Sequence, residues 1–491
     1  MSMINVQNLS FCYEGSYDDI FENVSFQLDT DWKLGFTGRN GRGKTTFLKL
    51  LMGCFPYQGE ISASVDFDYF PYEVDEDTLA LYAVEEACGV ELWRIKKELS
   101  LLGMDEEILY RPFSTMSGGE RTRVLLAALF SKENNFLLID EPTNHLDAQA
   151  RAALAAYLNA KKGFILVSHD RAFLDGCVDH ILSINKTDIE VQKGNFSSWL
   201  LNKEQQDEFE RGRNEKLKKE VKRLKDAARR NADWSDKVEK TKTGQKVAGL
   251  KPDRGHIGHM AAKMNKRAKS IEVRRERAVE DKEGLLKNVE YTGGLFISPL
   301  TSRVETLVTL ENVGVSYDGA PVFEGLDLEI KRGERLAVTG GNGSGKTTLL
   351  KIIAGEECDY TGFVRRASGL AVSYVPQHTG FLKGGMEEYA KSAGVDLSLF
   401  MTILRKFDFK RTQFEKDLAD LSEGQKKKVL LAASLSSSAH LYIWDEPLNY
   451  IDIISRMQIE EAVLKSNVSM VFVEHDVSMV KSIATKRIIL K

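Results

Sequence analysis

GRNGRGKTT at 38–46 and GGNGSGKTT at 340–348 decide how the rest of the chain is read. Each contains G-x-x-x-x-G-K-[ST], at Gly38–Thr45 and again at Gly340–Thr347. Glycines at this spacing (Gly38, Gly41, Gly43; Gly340, Gly343, Gly345) let the backbone curl so that successive N–H groups converge on phosphate oxygens. Lys44 and Lys346 can then reach the β- and γ-phosphates, and Thr45 and Thr347 can ligate Mg²⁺. In the first copy the apolar stretch WKLGFTG predicts a strand entering the loop, and TFLKLLMG a helix whose N-terminus faces the anion.

The duplication extends well past these loops. LLIDEPTNHLD at 137–147 recurs as YIWDEPLNYID at 442–452, and SHD at 168–170 as EHD at 474–476, with offsets of 302, 305 and 306 residues across the three pairs. Near-constant offsets mean one folding unit written twice, over residues 1–198 and 306–491. FLLID reads as an apolar strand ending in Asp140 and Glu141, recurring as Asp445 and Glu446. The aspartate would hold Mg²⁺ through water, and the glutamate would orient or deprotonate an attacking water. GFILVSHD is a second buried strand, ending in His169 (His475 in the other half), which could contact a γ-phosphate or be simply structural. FSTMSGGERTRVLLAALF places Ser117, Gly118 and Gly119 where a helix begins, a position suited to a phosphate and equally to a plain helix cap.

Residues 199–305 read as a linker of different character. Over 211–270 there are 20 Lys and Arg against 7 Asp and Glu, a net of +13, whereas the remainder of the chain carries −17. Positive charge concentrated in this way suits a phosphate-rich partner, although a solvated spacer would also be charged. Leu217, Val221, Leu224 and Ala228 share one helical face, and Met264, Ala268, Ile271, Ala278 and Leu285 form a second series. Between them Gly244, Gly249, Pro252, Gly255 and Gly258 argue for a tip loop near 241–259. The expectation is an antiparallel two-helix hairpin.

Composition is that of a globular protein, with 42% hydrophobic and 29% charged residues over 491 positions. Apolar runs are strand-sized, which argues against membrane spans. The N-terminal stretch MSMINVQNLSFCYEG lacks the layout of a secretory signal, and five scattered cysteines suggest neither a disulfide framework nor a metal cluster, so a cytoplasmic location is expected.

With these motifs in this order the chain resembles the ATP-binding cassette ATPases: an α/β fold, here two P-loop cassette domains joined by a helical-hairpin linker. That resemblance implies ATP and Mg²⁺ as ligands and two composite sites, each pairing one P-loop with the opposing signature helix. Site one would combine Gly38–Thr46, with Asn40 and Thr46, and Asp140, Glu141 and His169 with Ser422, Gly424 and Gln425. Site two would combine Gly340–Thr348, with Asn342 and Thr348, and Asp445, Glu446 and His475 with Ser117, Gly118, Gly119 and Glu120. Tyr13 and Tyr317 look like the family's adenine-stacking aromatics, though either could be a strand-packing residue. Gln377 matches the glutamine that couples the metal site to the helical subdomain.

Two cassettes without membrane helices, joined by a charged hairpin, resemble the ABC-F branch, and the long linker tip and altered second acidic motif look most like its Lsa/Vga antibiotic-resistance type. By resemblance the tip, with His256 and Ile257 as candidates for its deepest point, would meet rRNA and P-site tRNA near the peptidyl-transferase centre and dislodge lincosamide, pleuromutilin or streptogramin A drugs. A monomer with its two cassettes paired is expected. A housekeeping ABC-F translation factor, a transporter ATPase subunit and a DNA-repair ATPase are the alternatives. The copies also depart from one another. Tyr72 stands where the first copy should carry the coupling glutamine, Glu423 replaces a signature glycine, and Thr143 and His145 become Leu448 and Tyr450. The lysine-to-signature spacings of 73 and 76 residues leave little room for an arm insertion. Hydrolysis is expected at both sites, at rates that could differ.

Overall fold

The computed structural model describes residues 2–13, 19–72, 74–133, 135–143, 146, 148–184, 189–241, 294–317, 320–341, 343–356 and 358–490, with isolated helical positions between 263 and 274. Two compact units result, one made of Met1–Ser197 with Tyr291–Lys491 and the other of Ser198–Glu290.

Both halves of the first unit repeat one plan. In the first, β1 (Met3–Phe11) pairs antiparallel with β2 (Phe21–Asp29) and β4 (Gln58–Ser62). A six-stranded sheet has the order β5-β6-β7-β3-β8-β9, from β3 (Lys33–Thr37), β5 (Asp66–Phe70), β6 (Asn135–Asp140), β7 (Phe164–Val167), β8 (His180–Ile184) and β9 (Ile189–Lys193). In the second half β10 (Thr306–Tyr317) pairs with β11 (Ala320–Lys331) and β13 (Thr361–Arg366). A five-stranded sheet there has the order β14-β15-β16-β12-β17, from β12 (Arg335–Gly340), β14 (Val372–Val375), β15 (Leu441–Asp445), β16 (Met470–Val473) and β17 (Lys486–Leu490).

The central parallel strands are buried along their length, which is why FILV and MVFV read as unbroken apolar runs. Parallel pairing of β6, β7 and β3, and of β15, β16 and β12, sets the acidic pair, the histidine and the P-loop at adjacent carboxyl ends, where open α/β sheets place ligands. Trp444 and Tyr442 are fully buried in β15 and still find partners. The Trp444 indole donates to Ser434 Oγ at 2.9 Å and the Tyr442 hydroxyl to the Ser437 carbonyl at 2.9 Å.

In chain order, a group of helices comes between the P-loop helix and the acidic strand of each half. In the first it holds Ala80–Cys88, Leu92–Leu101 and Gly118–Phe130; in the second Met386–Ser392, Leu397–Lys406, Arg411–Phe414 and Glu423–Ser436. Ser117 and Ser422 cap the long helices, each in a reciprocal capping box, with Glu120 and Gln425 respectively.

The linker begins as a 46-residue helix, Phe196–Thr241, that includes the Leu217 to Ala228 series. The second helical series (Met264, Ala268, Ile271, Ala278, Leu285), the rest of the tip through His259, and His256 and Ile257 lie outside the described residues. The second cassette's packing starts before residue 306, the expected boundary. Leu295 and Ile297 are buried in its core, and the Leu300 N–H donates to the Ala439 carbonyl at 2.8 Å. Among the described residues no helix is long and apolar enough to cross a membrane.

One buried ion pair anchors the second half. Lys428 Nζ lies 2.7 Å from Asp452 Oδ2, with side chains 5% and 0% exposed. Asp452 also caps the helix Ile453–Lys465 through the Ser455 N–H at 2.9 Å. Burial opposes ionisation of Asp452, but Lys428 and the Ser455 N–H outweigh it and hold the carboxyl well below the usual aspartate range. Removing one partner of such a pair leaves an uncompensated buried charge. Lys428→Met is therefore expected to cost about 3–5 kcal/mol at neutral pH in denaturant unfolding. Because the folded-state pKa is depressed, wild type holds this stabilisation above the unfolded aspartate value of ~3.9 and loses it as pH falls further. The gap between variant and wild type should accordingly narrow below that pH.

Candidate functional site

The two P-loops close on themselves in the same way. Lys44 Nζ donates to the carbonyls of Gly38 at 2.7 Å and Arg39 at 3.2 Å, and to Asn40 Oδ1 at 3.3 Å. Lys346 Nζ donates to those of Gly340 at 3.1 Å and Gly341 at 2.7 Å. Gly43 and Gly345, at φ 96° and 83°, open the helices Lys44–Leu51 and Lys346–Ala354 in left-handed geometry. A Cβ on Gly43 would stand 2.4 Å from Ile20 Cγ2, and one on Gly345 2.7 Å from Val322 Cγ1, so both space and φ require glycine there.

Glu141 and Glu446 follow their strands at φ 52° and 46°, a sparse region for residues with a side chain. Their N–H groups are pinned to the carbonyls of Val167 at 2.9 Å and Val473 at 3.0 Å on the neighbouring strand. Strain of this kind collects at functional sites. His169 Nε2 lies 3.3 Å from Glu141 Oε1, and His475 Nε2 lies 3.2 Å from Glu446 Oε1, so the predicted glutamate and histidine meet in both halves.

The surroundings of these pairs differ. Burial, reinforced by Asp140, pushes the Glu141 carboxyl up to about 8 against the pull of Lys44 and Arg456. Burial, with Lys44 and Arg456 adding to it, drives His169 well below the ordinary histidine value. Burial also opposes ionisation of Glu446, but His475, Gln377 and Lys346 outweigh it and bring that carboxyl down to about 2. Gln377 Nε2 and Asn449 Nδ2 donate to Glu446 Oε2 at 2.9 and 2.8 Å. The first copy has no such glutamine: the Tyr72 hydroxyl is buried without a hydrogen-bond partner.

The aspartates diverge as well. Asp140 Oδ2 accepts from Thr45 Oγ1 at 2.8 Å and from the Tyr69 hydroxyl at 3.1 Å. Asp445 is fully buried, and among the described residues neither oxygen makes a close hydrogen bond; burial pushes its carboxyl up against the pull of Thr347, Lys427 and Lys346. A buried carboxylate of that kind calls for a cation, so the residues predicted to hold Mg²⁺ fit one. Sequence reading missed Tyr69 because nothing in DFDYFPY marks which tyrosine turns toward the aspartate. The change from Thr143 and Ser168 to Leu448 and Glu474 is compensated: a hydroxyl pair at 3.3 Å gives way to Glu474 Oε1 accepting the Leu448 N–H at 2.8 Å.

A cavity of about 390 Å³ lies at the first P-loop, walled by Asn40, Gly41, Gly43, Lys44, Thr45 and Thr46, by Asp140, Glu141, Val167 and His169, and across from them by Ser422, Glu423, Gly424 and Tyr450. Asn40 Nδ2 donates to the Tyr450 carbonyl at 2.8 Å, Arg39 Nη1 to the Lys406 carbonyl at 3.4 Å, and Arg42 Nη2 to Asp408 Oδ2 at 3.1 Å. Of the residues expected at site one, Asn40, Gly41, Gly43, Lys44, Thr45, Thr46, Asp140, Glu141, His169, Ser422 and Gly424 line this cavity; Gly38 does not, and Gln425 serves the helix cap.

A second cavity, about 530 Å³, is lined by Val322, Gly343, Gly345, Lys346, Thr347, Thr348, Gln377, Glu446, Asn449 and His475, with Leu146 and Arg151 from the first half. Arg151 Nη1 reaches the His475 carbonyl at 3.4 Å. Ser117, Gly118, Gly119 and Glu120 line neither cavity among the described residues. Tyr13 places its hydroxyl 2.9 Å from Thr46 Oγ1, with its ring edge-on to Phe11 and Phe55. Asn342 and the side chain of Tyr317 lie outside the described residues.

Gly424 packs against the Tyr450 carbonyl of its own half, which the Asn40 amide reaches from the other: a Cβ there would stand 2.6 Å from the Tyr450 carbonyl and 3.5 Å from Asn40 Nδ2. Gly424→Ala is expected to cost about 1–3 kcal/mol by overpacking and to displace the Asn40 contact. Gly341→Ala, with nothing within 4 Å of its Cβ, should be near neutral. Denaturant unfolding of the two variants tests the difference.

The ABC transporter family model matches the chain twice, at residues 21–144 and 323–449. Among curated proteins, the ribosome protection protein VmlR of Bacillus subtilis is 29% identical over 96% of this chain and 84% of its own length. A protein named "Probable ATP-binding cassette sub-family F member 3 homolog" from Encephalitozoon cuniculi is 28% identical over 92% of this chain and 74% of its own. Among solved structures, the archaeal ribosome recycling factor aABCE1, in complex with the stalk protein aP1, aligns with a TM-score of 0.64 at 21% identity, covering 98% of this chain and 87% of that one. At that identity the likeness speaks for the fold. The chain therefore belongs to the ABC transporter family, carries its ATP-binding cassette twice, and keeps its resemblance to the ABC-F branch.

Proposed function

We propose that this protein is an ATP-driven ribosome-protection factor of the cytoplasm, acting as a monomer whose paired cassettes grip two nucleotides while its basic linker enters the ribosome. The observation that supports this most is the facing of the first P-loop and the second signature turn across one cavity, at the Asn40 to Tyr450 contact. The +13 charge of 211–270 and the likeness to a ribosome protection protein supply the direction of the reading.

In this reading Lys44 and Lys346 hold the β- and γ-phosphates, and Ser422 and Gly424 present a helix N-terminus to the γ-phosphate of the first nucleotide. Thr45 with Asp140, and Thr347 with Asp445 and Gln377, would hold Mg²⁺, which neutralises phosphate charge when bound. Glu141 and Glu446 orient the attacking water and take its proton as its oxygen bonds to the γ-phosphorus and the β–γ bridging bond breaks. His169 and His475 hold those carboxylates in place. Hydrolysis removes the γ-phosphate contacts, the cassettes part, and the linker leaves. At the tip, backbone phosphates of rRNA and tRNA would be met electrostatically and peptidyl-transferase drugs displaced.

Changing both Glu141 and Glu446 to Gln should trap the ATP-bound protein on ribosomes, and failure of that variant to co-sediment with them would sink the clamp. Susceptibility of a bacterium with and without the gene, across lincosamides, pleuromutilins and streptogramin A, separates protection from a housekeeping translation role. Protection predicts hypersensitivity on loss at normal growth, a housekeeping role a growth defect at unchanged susceptibility. Shortening 244–259 should then abolish drug protection while sparing ATP hydrolysis and ribosome binding.

A further inference from the structure

The helix Glu423–Ser436 starts in the wall of the first cavity, to which Ser422, Glu423 and Gly424 contribute. Its first turn is fastened at two points to the loop that follows β14. The buried Thr379 hydroxyl donates to Glu423 Oε2 at 2.5 Å. Lys427 Nζ donates to the Pro376 carbonyl at 3.1 Å and to the Glu446 carbonyl at 3.2 Å. Within the same loop Gln377 donates to the Glu446 carboxylate, in the second cavity. Within this loop Gln377 therefore contacts the wall of the second cavity and Thr379, two residues on, that of the first.

The first half is built otherwise. Gly118 stands in the place of Glu423, Thr122 in that of Lys427 and Tyr72 in that of Gln377. Its signature helix is fastened instead by Arg121 to Glu76 at 2.9 Å. Glu423 also sets a carboxylate in the wall facing Lys44, where an anionic phosphate chain would be repelled unless the carboxylate is held aside. Thr379 and Lys426, 3.6 Å from Glu423 Oε1, hold it.

We propose that Glu423 and Thr379 are positioning residues that make nucleotide binding in the first cavity respond to occupancy of the second. A change in what Gln377 grips is passed two residues along to Thr379, which tightens or frees the Glu423 carboxylate beside the incoming phosphates. The coupling runs from the second site to the first through the second cassette. This rests on the ATP reading above.

The test is photolabelling of the full-length chain with azido-ATP and Mg²⁺, the two cassettes being separated by proteolysis so that labelling of the first is read alone. Lys346→Ala, which disables the second site, should shift half-saturation of the first cassette by about fivefold or more, the usual size of allosteric coupling. In Thr379→Val and in Glu423→Gly that shift should fall below about twofold, while Glu423→Gln, which keeps an acceptor for Thr379, should preserve it. The proposal is overturned if Lys346→Ala has no effect on the first cassette in the parent protein, or if its effect survives intact in Thr379→Val and Glu423→Gly. Failure of the ATP reading looks different: labelling of the first cassette would then be absent from the parent or indifferent to Lys44→Ala.

Discussion

A carboxylate at the end of a buried strand must have either a partner or a proton, and both halves of this chain are arranged around that demand. The parallel pairing of β6 with β7 and of β15 with β16 commits the N–H groups of Glu141 and Glu446 to carbonyls on the next strand. The side chains are thereby fixed beside the histidines that end those same neighbouring strands. The P-loop strand lies on the far side of the histidine strand, which brings the loop, the histidine and the acidic pair to one end of the sheet. Sheet order, more than any single contact, sets these residues side by side.

From the same skeleton the two sites reach different electrostatic states. Asp140 is satisfied by Thr45 and Tyr69, while burial and Asp140 push Glu141 beside it toward its protonated form against the pull of Lys44 and Arg456. In the second half the arrangement is reversed. Asp445 makes no close hydrogen bond among the described residues, and Glu446 gathers Gln377, Asn449 and His475 and stays ionised. The sum of satisfied carboxylates is similar, but which member of each acidic pair is satisfied has changed.

Much of this was legible in the residues. Unbroken apolar runs ending in Asp-Glu or Ser-His-Asp can be little but buried parallel strands, and a glycine-lysine-threonine loop between a strand and a helix has few other uses. Partner choice was not legible, because it depends on distances across the fold. Tyr69 and Tyr72 are three apart in one strand and its exit, yet one reaches Asp140 and the other is buried with no partner. Glu423 read as the loss of a glycine, and only the position of Thr379 makes it a tether. Nor was it legible that LFISPL, short and without periodicity, carries two core residues, Leu295 and Ile297.

The asymmetry between the cavities has its origin inside the phosphate loops. GRNGRGKTT carries Arg39 and Arg42 where GGNGSGKTT has Gly341 and Ser344. Those two arginines cross to the end of the helix Leu397–Lys406, one to the Lys406 carbonyl and the other to Asp408. A guanidinium can grip a carbonyl or a carboxylate from a loop that must itself stay small, because its length keeps the bulk away from the phosphate cradle. Glycine and serine at the equivalent places offer no such reach. The first P-loop lies against the second signature turn, where Gly424 leaves room for the Tyr450 carbonyl that accepts from Asn40. The second meets Leu146 and Arg151 instead. Two residues that a motif search treats as free positions therefore give the first loop contacts to the second half that the matching loop has no side chains to make.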